Sequence, residues 1–247
     1  MSTALVFAHF HQSGLVRSDT SALLNTLIEH IDDVYFVSTN VKDSELKKLD
    51  PRIISKTREN YGYDFYSYKT GFDLINLQNQ YDHLTLMNSS FLCADPQKFI
   101  NFYFKQGLSE DFEVIGLTRS WEITEHIQSY LITISSKVLE NKSFLKWWED
   151  MNPLSIRQEV ILNYEIGLSS FLLKFYKLSS VFKTSPASGQ EIPNPTHQFY
   201  LKLLEDAGIL KIEVIKKNPW NVNLAPINKA IREDDKFLSL IKEGLAN

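Results

Sequence analysis

The stretch Arg58-Glu59-Asn60-Tyr61-Gly62-Tyr63-Asp64-Phe65 decides how this chain is read. An apolar pair, Ile53-Ile54, precedes it, and Phe65, Tyr68, Phe72 and Ile75 follow at helical spacing. The pattern is strand, polar loop, helix, and in α/β chains such a loop is where ligands bind. It packs a guanidinium, two carboxylates, an amide, two phenols and a glycine together. Helix capping would account for Asp64, since Asp is a favoured N-cap. It would not account for Arg58, Asn60 and the Tyr-Gly-Tyr spacing as well.

The same alternation recurs on either side. Ala4 to Ala8 reads as a strand, and Asp19 to Ile31 as a helix with its stripe at Leu23, Leu24, Leu27, Ile28 and Ile31. Val34 to Val37 reads as a second strand and Ser44 to Leu49 as a short helix. A helix from Asp64 to about Leu77 follows the loop, and a strand from His83 to Met87 runs into Asn88-Ser89-Ser90. Strands alternating with helices predict an α/β fold, a mostly parallel sheet with helices on both faces. His9, Ser38, Arg58 to Asp64 and Asn88 to Ser90 each follow a predicted strand. The carboxyl ends of parallel strands share one sheet edge, so these four clusters should meet in space.

Farther along, a helix is predicted from Pro96 to Gln106, strands over Phe112 to Leu117 and Ile127 to Ile134, and a loop from Arg119 to Glu125. Aromatic-rich helices span Val138 to Met151 and Ile156 to Tyr176. Thr184 to Pro195 reads as a loop, a lid or a surface connector. A helix from Thr196 to Ala207 leads through Ile209 to Ile215 into a polar tail.

Composition narrows the classes. A chain of 247 residues, 43% hydrophobic and 13% aromatic, can bury a substantial core in a single domain. Its net charge of −4 supplies no basic field for nucleic acid, which is not expected as a partner. One cysteine, Cys93, excludes an intrachain disulfide and suits a reducing cytosol. The opening Met-Ser-Thr-Ala-Leu-Val-Phe-Ala lacks the basic region of a signal peptide, and no apolar run nears the ~20 residues that span a bilayer. A cytoplasmic location is the expectation. No Gly-x-Gly-x-x-Gly follows the first strand and no Gly-x-Ser-x-Gly occurs, which disfavours a Rossmann dehydrogenase and a serine hydrolase.

The loop motif, with Lys69 and Gly71 beyond it, resembles the signature of the rhamnan synthesis F family, glycosyltransferase-like proteins of bacterial surface polysaccharide assembly. Further stretches are similar in the same order: Ala8-His9-Phe10 with Gly14, Phe36-Val37-Ser38, and Tyr81-Asp82 leading to Asn88-Ser89-Ser90. They continue with Gly116-Leu117-Thr118, His126-Ile127-Gln128-Ser129-Tyr130, Tyr164-Glu165-Ile166-Gly167-Leu168 and Asn194-Pro195-Thr196-His197. The resemblance runs from about residue 4 to residue 220.

It implies a GT-A-like glycosyltransferase domain over 1–247, with a nucleotide-sugar half at about 1–118, an acceptor half at about 119–220 and a tail at 221–247. The implied reaction moves L-rhamnose or a related deoxy sugar from a dTDP-rhamnose-like donor to a growing polysaccharide. A saccharide or lipid-linked oligosaccharide would be the acceptor, the latter bringing the protein to the inner face of the membrane. Transfer of another sugar, such as a furanose, and a non-catalytic carbohydrate-binding role are the alternatives. Expected donor contacts are His9, Ser38, Arg58, Asn60, Gly62, Tyr63, Lys69, Asn88 and Ser90, with Arg58, Lys69 and Arg119 as cations for the diphosphate. Expected acceptor contacts are His126, Gln128 and Ser129, with Tyr130 as a stacking surface. Glu165, a lone carboxylate among Ile161, Leu162, Ile166 and Leu168, is the leading general base and Asp64 the second. Many GT-A enzymes hold Mg²⁺ or Mn²⁺ on an Asp-x-Asp motif, and this family usually has Asn-Asp-Ser there. Here Asn88-Ser89-Ser90 lacks the carboxylate that hard cations prefer, so no metal ligands are assigned and dependence on a divalent cation should be weak or absent.

Overall fold

The computed structural model describes residues 2–75, 81–109, 112–184 and 194–246. Strand β1 (Thr3–His9) pairs in parallel with β2 (Asp33–Ser38) on one side and with β4 (His83–Asn88) on the other, and β2 pairs in parallel with β3 (Ile54–Thr57). Helices α1 (Ser18–Leu27), α2 (Asp43–Leu46) and α3 (Tyr63–Leu74) make the connections. The predicted end of α3 at Leu77 lies outside the described residues.

Beyond β4 the chain is more broken than its periodicity suggests. A short β5 (Phe91–Cys93) precedes α4 (Pro96–Ile100), which runs into a π-helical turn at Asn101–Gln106. Strands β6 (Val114–Gly116), β7 (Arg119–Ser120), β8 (His126–Ile127) and β9 (Leu131–Ser135) follow. The predicted strand Ile127 to Ile134 is thus two strands. β8 pairs with β7 in a separate ribbon, and β9 enters the central sheet. The predicted helix Val138 to Met151 divides into α5 (Ser136–Leu139) and α6 (Lys142–Glu149), because Asn141 caps α6 by accepting from the Ser143 and Phe144 N–H groups. Ile156 to Tyr176 becomes α7 (Arg157–Val160), a π-helical turn at Ile161–Ile166 and α8 (Gly167–Leu172). Then come β10 (Leu178–Ser180), α9 (Pro195–Gln198), α10 (Tyr200–Ala207), β11 (Ile209–Lys211) and α11 (Ile212–Lys216). The predicted loop Thr184 to Pro195 falls largely on residues outside those described.

The central sheet has the order β10-β6-β9-β4-β1-β2-β3, mostly parallel, with β9 antiparallel to both β4 and β6. This is the expected α/β architecture. Helices cover both faces. Leu5 and Phe7 pack with Leu23, Leu24 and Leu27 of α1, while Ala4, Val6 and Ala8 pack with Phe65, Tyr68 and Phe72 of α3. Burial on both faces is why β1 reads as a continuous apolar run. Helix α3 lies so close that a Cβ on Gly71 would come within 2.2 Å of the Val6 side chain.

The polar tail expected over 221–247 is instead a helical pair, α12 (Ala225–Glu233) and α13 (Asp235–Leu245). Phe237, Leu240, Ile241 and Gly244 recur on one face of α13 and are buried. Phe237 and Ile241 join Ile227 in an apolar cluster around Leu92 of β5 and Leu210 of β11, strands that pair antiparallel. This pairing brings a segment remote in sequence to the end of β4. Among the described residues no helix is long and apolar enough to cross a membrane.

Candidate functional site

Strand order reverses at β1, since β2 lies on one side of it and β4 on the other. The crevice outside the carboxyl ends of β1 and β4 is therefore the switch point where open α/β sheets bind ligands. The chain is stitched together there. Ser89 N–H donates to the Ala8 carbonyl, and Phe10 N–H donates to Ser89 Oγ at 3.2 Å. Below them the buried Arg17 pairs with Asp19 at 2.8 Å and donates to the carbonyls of Ser89 and Phe91.

Two adjoining cavities open on this edge. The smaller, about 380 Å³, is lined by His9, Phe10, Thr39, Asn60, Gly62 and Ser67 among others. The larger, about 610 Å³, is lined by Asn88, Ser90, His126, Ser129, Glu165 and Lys211 among others. Phe10, Tyr63 and Asp64 belong to both walls. The four clusters at the strand ends thus meet, as the alternation of strands and helices requires. His9 Nδ1 shares a 2.9 Å hydrogen bond with Ser38 Oγ, Arg58 N–H donates to the Ser38 carbonyl, and Asn88 Nδ2 donates to Asp64 Oδ2 at 2.8 Å. Burial, reinforced by the Arg17 charge, lowers the His9 pKa to about 3, so its ring is neutral. Ser38 lies behind His9, where its hydroxyl also accepts from the Val41 N–H.

The loop before α3 holds an unusual backbone. Gly62 sits at φ 69° and Tyr63 at φ 52°. A Cβ at Gly62 would also meet the Tyr66 Cβ at 2.6 Å. A tyrosine in the left-handed region stores strain that its surroundings must offset. Arg58 supplies the clamp. Its Nε–H donates to Ser67 Oγ, its Nη1 to the carbonyls of Glu59 and Tyr61, and its Nη2 to the Tyr63 carbonyl and Ser67 Oγ. A guanidinium has five N–H donors, and all five are engaged. Arg58, expected on the diphosphate, has none left for a phosphate and lines neither cavity.

Lys69 is also committed elsewhere. Its ammonium donates to the Trp148 carbonyl at 2.7 Å, at the carboxyl end of α6, where a cation is favoured. Arg119 pairs with Glu125 and stacks over Trp121. Asp64 is not the helix cap, a position held by Gly62. Its carboxyl faces the larger cavity in the first turn of α3. Burial raises its pKa to about 6, opposed by the charge of Lys211 and assisted by Glu165.

Across the cleft, Glu165 lies on the π-helical turn Ile161–Ile166, a bulge of the kind often found at functional sites. Its Oε1 accepts from Ser129 N–H at 2.7 Å and Ser129 Oγ at 2.9 Å, and no hydrogen bond reaches Oε2 among the described residues. Gln128 is drawn into a buried network. Its Oε1 accepts from Thr118 and Thr196, and its Nε2 donates to Asn194, which donates to Glu122. Tyr130 is buried and shares its hydroxyl with Thr118 and Thr196, and one ring face is covered by the Lys211 ammonium 4.3 Å from the centroid. The expected sugar-stacking surface on Tyr130 is therefore occupied. His126 lines the larger cavity with Nδ1 against the Thr124 carbonyl at 2.8 Å.

Sequence reading missed the segment that closes the cleft. Lys211, Glu213, Lys217 and Trp220 line it, as does Arg157 of α7. Lys211 lies 121 residues from Ser90, whose hydroxyl it contacts at 2.6 Å. The signal that could have found it is the short apolar run Ile209-Leu210 ending in a lone lysine, a strand that carries a charge to its end. His197, near Glu213, is held neutral with a pKa of about 4 by burial and the Lys211 charge.

A divalent cation near Asn88 would have to compete with protein donors for the carboxylates there. Among the described residues no three His, Cys, Asp or Glu side chains form a metal-binding group. Near Asn88, Asp64 Oδ2 accepts from Asn88 and Glu165 Oε1 from Ser129, while the charge of Lys211 acts on both carboxylates. An ammonium repels a hard cation that needs several free carboxylate oxygens.

A model of the family described as rhamnan synthesis protein F matches residues 34–241. Virulence protein VirA of Vibrio anguillarum is 27% identical over 197 residues, which cover 66% of this chain and 62% of that protein. The match thus spans under two-thirds of its curated relative's length, 62%. Among solved structures, glucosyl-3-phosphoglycerate synthase from Mycobacterium tuberculosis, in complex with Mn²⁺, UDP-glucose and phosphoglyceric acid, aligns with a TM-score of 0.48 at 9% identity, covering 84% of this chain and 80% of that one. A mannosyltransferase from Pyrobaculum calidifontis, in complex with GDP-mannose and Mn²⁺, aligns with a TM-score of 0.42 at 9% identity, covering 99% and 73%.

Proposed function

The chain belongs to the rhamnan synthesis protein F family, and from that premise we propose that it is a glycosyltransferase of surface polysaccharide assembly. It moves L-rhamnose or a related deoxy sugar from a nucleotide-activated donor to a saccharide or lipid-linked acceptor. One observation carries the reading: two cavities at the switch point of the sheet share a wall of Phe10, Tyr63 and Asp64. The smaller, with His9, Asn60 and the Tyr61 and Tyr63 rings, suits a nucleoside. The larger, with both carboxylates, suits the donor sugar and the acceptor hydroxyl.

In the reaction, the bond between the anomeric carbon and the diphosphate oxygen breaks, and its electron pair leaves on the phosphate. The acceptor oxygen forms the new bond, and its proton passes to Glu165. The Ser129 N–H and hydroxyl hold one oxygen of that carboxylate, fixing its orientation, which is worth ~10²–10⁴-fold for a positioned base. Asn88 and the first turn of α3 fix Asp64 against the other side of the cleft.

Thermal-shift measurements with UDP, GDP, dTDP and their sugar conjugates test the reading. A ligand at a hundredfold excess over Kd stabilises the fold by about 2.7 kcal/mol, enough to shift the melting temperature measurably. Stabilisation by a nucleoside diphosphate and its sugar conjugate is expected. No shift with any nucleotide would sink the assignment.

A further inference from the structure

A transferase of this kind must neutralise the diphosphate it releases, and the cations expected for that task are used elsewhere. All five donors of Arg58 hold its own loop, Lys69 caps α6, and Arg119 faces Glu125. At the far wall of the larger cavity, Arg157 and Lys217 both face Glu213, at 3.8 and 3.2 Å.

Lys211 differs from each of these. Its strand, β11, pairs with β5 in the register Lys211↔Phe91, which sets its side chain beside the turn that ends β4. Its ammonium donates to Ser90 Oγ at 2.6 Å and lies 4.3 Å from the Tyr130 ring centroid. Ser90 Oγ in turn donates to Asn88 Oδ1, and Asn88 donates to Asp64. Lys211 makes no ion pair within 4.0 Å and no second hydrogen bond among the described residues. An ammonium has three donors, so two N–H groups remain for a ligand in the cavity it lines.

On the nucleotide-sugar reading proposed above, we infer that Lys211, held by Ser90 and Tyr130, is the cation that receives the donor's diphosphate, in the role that a divalent metal fills in other transferases. As the glycosidic carbon–oxygen bond breaks, the electron pair stays on the terminal phosphate oxygen, and the Lys211 N–H groups hydrogen-bond to the charge that develops there. No proton needs to be transferred to the phosphate. The arrangement is preorganised, because the Tyr130 face and the Ser90 hydroxyl fix the ammonium before a ligand arrives. Burial lowers the Lys211 pKa to about 8, with Glu165 and Asp64 acting against that shift, so the group is still mostly charged at neutral pH. A diphosphate beside it would hold the proton more firmly.

The test is calorimetric titration of the whole chain with whichever of UDP, GDP and dTDP stabilises it, beside the parent nucleoside. Wild-type affinity for the diphosphate should be the same in EDTA and in excess Mn²⁺. Lys211→Met should weaken diphosphate binding ~10-fold or more, the cost of a charged hydrogen bond, and leave nucleoside binding nearly unchanged. Lys211→Arg should restore most of the loss. The inference is overturned if Lys211→Met binds the diphosphate like wild type, or if it loses nucleoside and diphosphate equally, which would mark a packing role. Loss of diphosphate binding in EDTA with recovery in Mn²⁺ would also overturn it, and this arm needs no variant to fold. Wild-type protein that binds no nucleotide at all would remove the nucleotide-sugar reading itself, an outcome distinct from the others.

Discussion

Asn88 at the end of β4 donates its side-chain amide to Asp64 in the first turn of α3, at 2.8 Å. The bond ties the central strand to the loop clamped by Arg58. It holds the second candidate base against one side of the cleft while Ser129 holds Glu165 against the other. Two carboxylates in different settings can carry different tasks.

Glu165→Gln keeps an acceptor for the Ser129 N–H and hydroxyl but cannot take a proton. Donor affinity should be unchanged, and turnover should fall ~10²-fold or more. Steady-state kinetics with calorimetry on the same preparation check this. Turnover near wild type would move the base to Asp64.

Asp64→Asn should change stability with a characteristic pH dependence. Burial raises the carboxyl pKa from 3.8 to about 6. Between those values the folded state binds more protons than the unfolded one. The stability that this group leaves intact below pH 3.8 is therefore lost as pH rises through about 6. The variant should gain on wild type across that window and keep the gain at neutral pH. Urea unfolding at several pH values gives the answer, and a constant difference would mean an ordinary carboxyl.

His9 works in the opposite direction. Its folded pKa, about 3, lies below the ordinary histidine value of 6.5, so stability is intact above 6.5 and is lost as pH falls through the interval. The loss approaches about 1.4 kcal/mol per pH unit for one full proton. His9→Asn retains a polar group for Ser38 and should flatten the decline between pH 6.5 and about 4. A profile parallel to wild type would assign the acid sensitivity to other groups, such as His197.

Arg58→Lys replaces a five-donor fork by a point charge that cannot span Glu59, Tyr61, Tyr63 and Ser67 together. We expect a loss of about 2 kcal/mol in urea unfolding, from several carbonyls left without their donor. Nucleotide affinity should fall only in step with the disordering of the loop. A variant of native stability with selectively weakened diphosphate binding would restore Arg58 as a direct contact.

What could be read in the sequence was local. β1, β2 and β4 are apolar because both faces of a parallel sheet are covered, and the polar residues after each strand fall together because parallel strands share one edge. That logic places His9, Asp64 and Asn88 without further information. It cannot say which polar group consumes another. Arg58 and Lys69 have the chemistry of phosphate ligands, yet their donors go to nearby carbonyls. Long-range pairing was hidden as well. Antiparallel β9 looks like any apolar strand, and β5 with β11 offers three residues each. Lys211 is joined to the site only through that pairing, and its one local mark is the short apolar run Ile209-Leu210 before it.

The β5–β11 pairing also sets a biosynthetic order. Domains fold from the amino end as they leave the ribosome, and contacts distant in sequence close last. Asp64, Asn88 and Glu165 emerge before β11 does. A nascent chain that has reached only as far as α8 holds both carboxylates without the Lys211 ammonium, and its β5 has no strand partner. Charge balance in the cleft is therefore a late event in the life of each molecule, coincident with the docking of α12 and α13 on β5 and β11.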